Sequence, residues 1–248
     1  MRSDTKGSAM EAAARHTLPP MSSSARVLSL NVGSSEPNPV KKAIPTGIGK
    51  RPVDAAEVRA PGPKKGGLGS GLVDDFIGDQ RHHGGDFQAV YAYAREELDA
   101  WEERLGRELP DGMFGENLTT TGLDVDGAIV GERWQVGDEV VLEVAGPRIP
   151  CSTFASRMGE KGWVRRFTEV GNTGAYLAVV EPGRIRRGDP VRVISRPGHG
   201  IGVRVTFRAF TGDLDAARRV LEGRVLNPVD HAELQETYDK RSRAGLAG

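Results

Sequence analysis

Chemistry in this chain concentrates on a lone thiol. Among 248 residues there is one cysteine, Cys151, set in Pro147-Arg148-Ile149-Pro150-Cys151-Ser152. A single thiol forms no internal disulfide, falls short of the four thiolates an iron–sulfur cluster usually takes, and builds no Cys-rich zinc site. Three roles stay open for it: a buried small hydrophobe, a nucleophile, or one soft thiolate given to a metal whose other ligands come from elsewhere. The last two need a lowered thiol pKa, which neighbouring cations provide. Arg148 and Arg157 are the near candidates.

Three further clusters could meet a ligand. In His82-His83-Gly84-Gly85-Asp86 the paired glycines would let backbone amides approach an anion closely, and a histidine beside them could hydrogen-bond a phosphate or a heterocycle. Adjacent histidines on a strand point to opposite faces, so a zinc chelate is not expected there. Phe114-Gly115-Glu116-Asn117-Leu118-Thr119-Thr120 offers donors and acceptors around a glycine. Thr46-Gly47-Ile48-Gly49-Lys50-Arg51-Pro52-Val53 is Gly-rich and basic but lacks the G-x-x-x-x-G-K-[ST] spacing of a nucleotide-hydrolase loop, and no clear helix follows it. Each cluster also has a plainer reading as an ordinary turn. No G-x-G-x-x-G follows a strand and opens a helix, and neither H-E-x-x-H nor G-x-S-x-G occurs.

The elements that must hold these clusters are mostly short strands. Glycine is abundant, at 33 residues, and short apolar runs between glycines favour a turn-rich β protein over a helical bundle. Strands are expected at 26–32, 53–58, 88–93, 128–130, 134–136, 140–144, 175–180 and 190–194, several joined by Gly-Asp turns. This pattern suggests a closed or nearly closed β-barrel. Leu98, Trp101 and Leu105 share one face of a helix over 95–105, which Gly106 is placed to end. Beyond Pro197 the texture turns helical. Leu214, Ala217 and Leu221 lie on one face, with Gly223 as the expected cap, and Asn227-Pro228 opens a last helix to about Arg243. Val203–Phe210 fits strand and helix periods equally.

Net charge is zero but uneven. Residues 1–72 carry 11 Lys/Arg against 5 Asp/Glu, and residues 73–120 carry 4 against 12. Zero net charge argues against a nucleic-acid polymer as partner. No apolar run is long enough to span a membrane. Residues 1–20 hold no apolar signal region, and one cysteine fits a reducing compartment, so the expected location is cytoplasmic. Met21 precedes Ser-Ser-Ser and the first apolar alternation. Residues 1–24 are therefore expected to be a disordered extension or an upstream start.

Order adds what the separate clusters lack: T-G-I-x-K-x-P-V, then H-G-G, F-G-E-N-L-T, G-D, P-R-x-P-C, A-Y-L and a final G-D. Over about residues 26–243 this resembles the MOSC domains, which are similar to the C-terminal part of molybdenum cofactor sulfurases, and within them the YiiM group. The resemblance implies a mainly β, MOSC-type barrel with peripheral helices over 25–196, followed by a small three-helix appendage over 197–248, with 203–210 helical. It implies the molybdenum cofactor (Mo-molybdopterin) as ligand, with Cys151 as the catalytic thiolate bound to molybdenum. Lys50, His83, Gly84, Gly85, Phe114, Gly115, Glu116, Asn117 and Arg148 would contact the pterin and its phosphate. Two departures stand out. Ala178 sits where the family often has an arginine, and Tyr93-Ala94 where it often has Tyr-Pro.

The activity so implied is reduction of small N-hydroxylated compounds of the hydroxylaminopurine or amidoxime type. One cysteine leaves no internal iron–sulfur relay, and no flavin or nicotinamide fingerprint is visible. Electrons would therefore come from an external flavin or iron–sulfur reductase. A carrier or sulfur-transfer module, with persulfide on Cys151 and no turnover, is the second expectation. The resemblance also leaves room for a homodimer.

Overall fold

The computed structural model describes residues 25–246; the expected extension over 1–24 lies outside them. Strand β1 (Arg26–Gly33) alternates apolar and polar residues and buries Val27 and Leu30. The run expected as one strand over 53–58 is two, β2 (Lys50–Val53) and β3 (Ala55–Val58), because the chain changes sheets at Asp54. A single 3-10 turn, Asp86–Gln88, precedes β4 (Val90–Ala94), whose five residues are all buried. Helix α1 (Arg95–Leu105) follows, packing Leu98 and Trp101 inward. It ends at Gly106, whose left-handed φ of 66° lets its amide return to the Glu102 carbonyl.

Next come β5 (Leu118–Thr121), β6 (Arg133–Val136) and β7 (Val140–Pro147). Two short helices that sequence periodicity did not reveal, α2 (Ser152–Met158) and α3 (Trp163–Val170), separate β7 from β8 (Ala175–Glu181). At seven and eight residues they are too short to be stable alone. They persist by burying Phe154, Met158, Trp163 and Phe167 in one aromatic cluster with Tyr93, Trp101 and Phe114. β9 (Gly183–Arg186) pairs only with β3, and β10 (Val191–Ser195) ends the strand region.

Eight strands form one mixed sheet in the order β10-β6-β7-β8-β4-β5-β1-β2. Only β4 and β5 run parallel; the other pairs are antiparallel. Of the closed or nearly closed barrel that was expected, the large mixed sheet with its helices is what forms; among the described residues no ladder joins β10 back to β1. The two meet at a single bridge, Arg26 to Pro190. Beside it Val27 N donates to Asp189 O at 2.9 Å and Val191 N to Ala25 O at 2.8 Å. Ala128-Ile129-Val130 is likewise no strand. Ile129 bridges Gly202, and Val203 N donates to Ala128 O at 2.9 Å, so this segment anchors the chain after β10.

That chain is helical: α4 (Val203–Thr211), α5 (Leu214–Gly223) and α6 (Pro228–Leu246). The ambiguous 203–210 run is thus a helix, and it buries Val203, Phe207 and Ala209. Gly223 is the last residue of α5, and Arg224 takes the left-handed cap at φ 49°. A Cβ on Gly223 would stand 2.4 Å from the tip of the Ile201 side chain, which would have to turn aside. Asn227 caps α6, its side chain accepting from Val229 N and Asp230 N, each at 3.1 Å.

Candidate functional site

Cys151 is the residue immediately before α2, in extended backbone four residues beyond β7, and it is part-exposed. It lies where two adjoining cavities meet: a narrow inner one of about 80 Å³ and a wider outer one of about 400 Å³. His83, Lys41, Gln88 and Tyr176 also line both. Burial pushes the thiol pKa up. A hydrogen bond with His83 and the charge of Arg148 outweigh that, helped by the Phe154 amide in the first turn of α2, and bring it to about 5. The resting side chain at neutral pH is therefore a thiolate.

Arg148 is the cation that matters most. It is buried at 4% exposure. Its guanidinium lies 4.4 Å from the Phe154 ring centre and 5.6 Å from that of Tyr91. One terminal nitrogen donates to its neighbour's carbonyl, Ile149 O, at 2.9 Å. Its Nε has no partner. A buried donor left unpaired costs about 1–3 kcal/mol, and this one belongs to a cavity-lining side chain. Tyr91 and Tyr176, 5.3 Å apart between ring centres, complete the wall, and burial raises both phenol pKa values.

Lys50 lines the inner cavity at 8% exposure, but it is not a free charge. Its ammonium is paired with Asp75, whose carboxyl is wholly shielded from solvent. Asp75 also accepts from Gly33 N at 2.6 Å, Ser70 Oγ at 2.7 Å and Asn117 Nδ2 at 3.0 Å. Lys41, on the shared wall, is paired with Asp79 at 2.6 Å. Two of the cleft's lysines are thus neutralised by carboxylates from the 75–79 loop, leaving Arg148 to face the thiolate.

The other residues named from sequence divide into two layers. His83, Gly84, Gly115 and Asn117 line the inner cavity. Asn117 is also tied into the backbone, accepting from Tyr91 N at 3.1 Å and donating to Asn31 O at 3.2 Å. Gly85, Phe114 and Glu116 stand behind that surface. The Gly85 amide donates to Gly69 O at 2.9 Å, and a Cβ there would meet Lys64 N at 2.7 Å. Its left-handed φ of 80° therefore serves packing against the 62–69 loop, and its amide is not free for an anion. Phe114 is fully buried, 4.9 Å from Tyr93 and 5.1 Å from Phe154 between ring centres.

Glu116 is fully buried and braces its own loop. It accepts from Gly112 N at 2.6 Å, Phe114 N at 2.9 Å and Thr119 Oγ1 at 2.9 Å. Burial raises its pKa to about 7 against the pull of those donors. Sequence reasoning missed Asp75, Tyr91, Tyr176 and the 75–79 loop. The available signal was the acidic stretch Asp74-Asp75-x-x-x-Asp79 just ahead of the histidines, opposite a lysine-rich segment.

The model of the MOSC domain matches residues 79–192, which include His83, Arg148 and Cys151. The chain is 34% identical over 222 residues to a Bacillus subtilis protein described as uncharacterized, YflK, covering 86% of this chain and 95% of that one. It therefore belongs to the MOSC domain family. A fungal protein named Reductase, from Gibberella moniliformis, is 32% identical over 165 residues, 57% of this chain but only 29% of the fungal one. Among solved structures, YiiM from Geobacillus stearothermophilus superposes with a TM-score of 0.66 at 25% identity, covering 88% of this chain and 98% of that one. Within the family, the chain is YiiM-like.

Proposed function

We propose that this protein binds the molybdenum cofactor at the Cys151 cleft and reduces small N-hydroxylated compounds with electrons from a separate flavin or iron–sulfur protein. The observation that carries the reading is the pairing of a thiolate with a buried arginine where two cavities meet. Membership in the MOSC family and similarity to a protein named Reductase support it.

The residues suit such a group. Cys151 offers one soft anionic ligand. Arg148 Nε is a buried donor awaiting an acceptor, and glycines 84 and 115 keep the inner wall free of side chains. Cys151 would hold the metal, and Arg148 and His83 would hold the thiolate and the anionic parts of the pterin. When bound, the group would supply a two-electron redox centre able to accept oxygen from an N–OH compound. The net reaction breaks the N–O bond, takes up two electrons and two protons, and releases amine and water. Around it, Tyr91 and Tyr176 would line the inner wall, and the His83 side chain would stand by the Cys151 sulfur. No helix among the described residues is long and apolar enough to cross a membrane. Action in the cytoplasm is part of the proposal.

The test is metal and pterin content after expression in a molybdate-replete host, wild type against Cys151→Ser, followed by benzamidoxime reduction with a supplied electron donor. Molybdenum in wild type and not in the variant, with steady turnover, is the expected result. Absence of molybdenum from both, under conditions that load another molybdoenzyme, refutes it. Persulfide on Cys151 without turnover would instead favour the carrier function.

A further inference from the structure

Two turns approach Cys151 from different parts of the chain. The first runs from Asp79 to His83. The Asp79 carbonyl accepts from His82 N at 3.1 Å and His83 N at 3.0 Å, so the imidazole beside the thiol sits on a turn that starts at Asp79. The second runs from Asn38 to Lys41. The Asn38 side chain, on a residue 5% exposed, accepts from Val40 N at 3.0 Å and Lys41 N at 3.1 Å. Its Nδ2 donates at 3.3 Å to Oγ1 of Thr153, in the first turn of α2 and two residues past the thiol. One ion pair joins the two turns, Lys41 Nζ to Asp79 Oδ2 at 2.6 Å. That contact holds the Asp79 carboxyl below the usual carboxylate range, so it stays ionised at neutral pH. Beside the pair the backbones touch. A Cβ on Gly78 would stand 1.8 Å from Pro45 O, which is main chain and cannot turn aside.

These contacts close a ring. From Cys151 it passes along α2 to Thr153, then through Asn38, Lys41, Asp79 and His83 back to the sulfur, and all six residues line the inner cavity. We infer that the Lys41–Asp79 pair is a clamp that sets the position of His83 against Cys151, which makes Lys41 and Asp79 positioning residues of the thiol site. Their side chains are 32% and 12% exposed, and pairs that water reaches add little to stability. What this pair supplies is register between two segments 38 residues apart. Without it the 79–83 turn keeps its main-chain hydrogen bonds but loses its tie to the turn that anchors α2. A hydrogen bond weakens steeply with misalignment, so a small displacement of the imidazole would cost the thiolate much of its partner. The inference deepens the reductase proposal, in which Cys151 holds the metal, and rests on it for its biological meaning. The clamp itself is a property of the cofactor-free chain.

The experiment uses the full chain without cofactor and exploits its single native thiol. His83→Cys creates a two-thiol chain, and dibromobimane, which fluoresces when it bridges two nearby thiols, reads how closely position 83 is held to Cys151. Removing one charge would leave the other free to act, so the decisive background is the neutral pair Lys41→Met/Asp79→Asn. Cross-linking in that background should slow about fivefold, because effective concentration falls when a tether slackens. Lys41→Arg keeps the ion pair and should keep the rate of His83→Cys alone. Urea unfolding of each variant should stay close to that of His83→Cys, which separates positioning from loss of fold. No cross-link in His83→Cys, an unchanged rate in the neutral background, or a loss of urea resistance in step with the lost rate overturns the inference. Molybdenum content is measured separately, in chains that retain His83. Metal in wild type with an unchanged cross-linking rate refutes the clamp alone, and a slowed rate with no metal in wild type refutes the reductase proposal alone.

Discussion

Asp75 offers the sharpest test of how the cleft is held. Its carboxyl is fully shielded, and it accepts from a backbone amide, a hydroxyl, a carboxamide and the ammonium of Lys50, whose side chain alone is 4% exposed. Asp75→Ala strands a buried cation, a change that costs about 3–5 kcal/mol, and leaves three neutral donors each short of a partner worth about 1 kcal/mol net. Lys50 and Asn117 line the inner cavity, so water can reach part of this network. That moderates the sum to about 4 kcal/mol, a large share of the 5–15 kcal/mol typical of a domain. The charge component can be isolated. In Lys50→Met/Asp75→Ala no unpaired ammonium remains, so the double variant should recover about 2 kcal/mol relative to the sum of the single changes. Urea unfolding at pH 7, followed by the fluorescence of the three tryptophans, measures all four proteins. A loss below 1 kcal/mol for Asp75→Ala, or strict additivity in the double variant, would refute the idea that the Lys50–Asp75 pair holds this wall.

Three other expectations follow from the same geometry. In the cofactor-free protein, the rate of Cys151 alkylation by iodoacetamide should rise with pH around a midpoint of about 5, and His83→Ala should move that midpoint upward; a wild-type midpoint near the ordinary thiol value would contradict the assigned environment. Burial raises the folded pKa of Glu116 to about 7, above the ordinary carboxyl value of 4.5. The folded state therefore binds more protons than the unfolded state between those values, and stability from this group is present below pH 4.5 and lost as pH rises through 7. Glu116→Gln should remove that component, on the order of 3 kcal/mol, from the difference between urea unfolding at pH 4.5 and 7.5; identical pH slopes in both proteins would count against it. Phe114→Ala should lose about 3–5 kcal/mol, seen as a fall in Tm, because its ring meets Tyr93, Trp101, Phe154, Trp163 and Phe167. A loss below 1 kcal/mol would mean that the cluster collapses to fill the space.

Local patterns made much of the framework legible. The alternation in β1, the helical faces of α1 and α5, and the Asn227-Pro228 start of α6 are short-range facts, decided by residues within a few positions of one another. The order of the loop motifs likewise pointed to the MOSC family. Helices α2 and α3 stayed hidden because their stability comes from Phe154, Trp163 and Phe167 meeting Trp101 and Phe114, residues from distant parts of the chain. Ala128–Val130 reads as a strand but finds Gly202 and Val203 in place of a sheet partner.

The same division runs through the site. Sequence alone singled out Cys151, because a lone thiol beside an arginine and two prolines has few roles, and it named His83 and Arg148 as companions. Only the tertiary structure separated Lys50, Asn117 and Gly115 at the cavity wall from Phe114, Glu116 and Gly85 behind it. It also revealed Asp75 and brought α6 across from the thiol. The reason is physical: a residue type fixes which charges and donors are available, but a pKa or a binding surface depends on what lies within a few ångströms. For Cys151 those neighbours arrive from positions 83, 148 and 154.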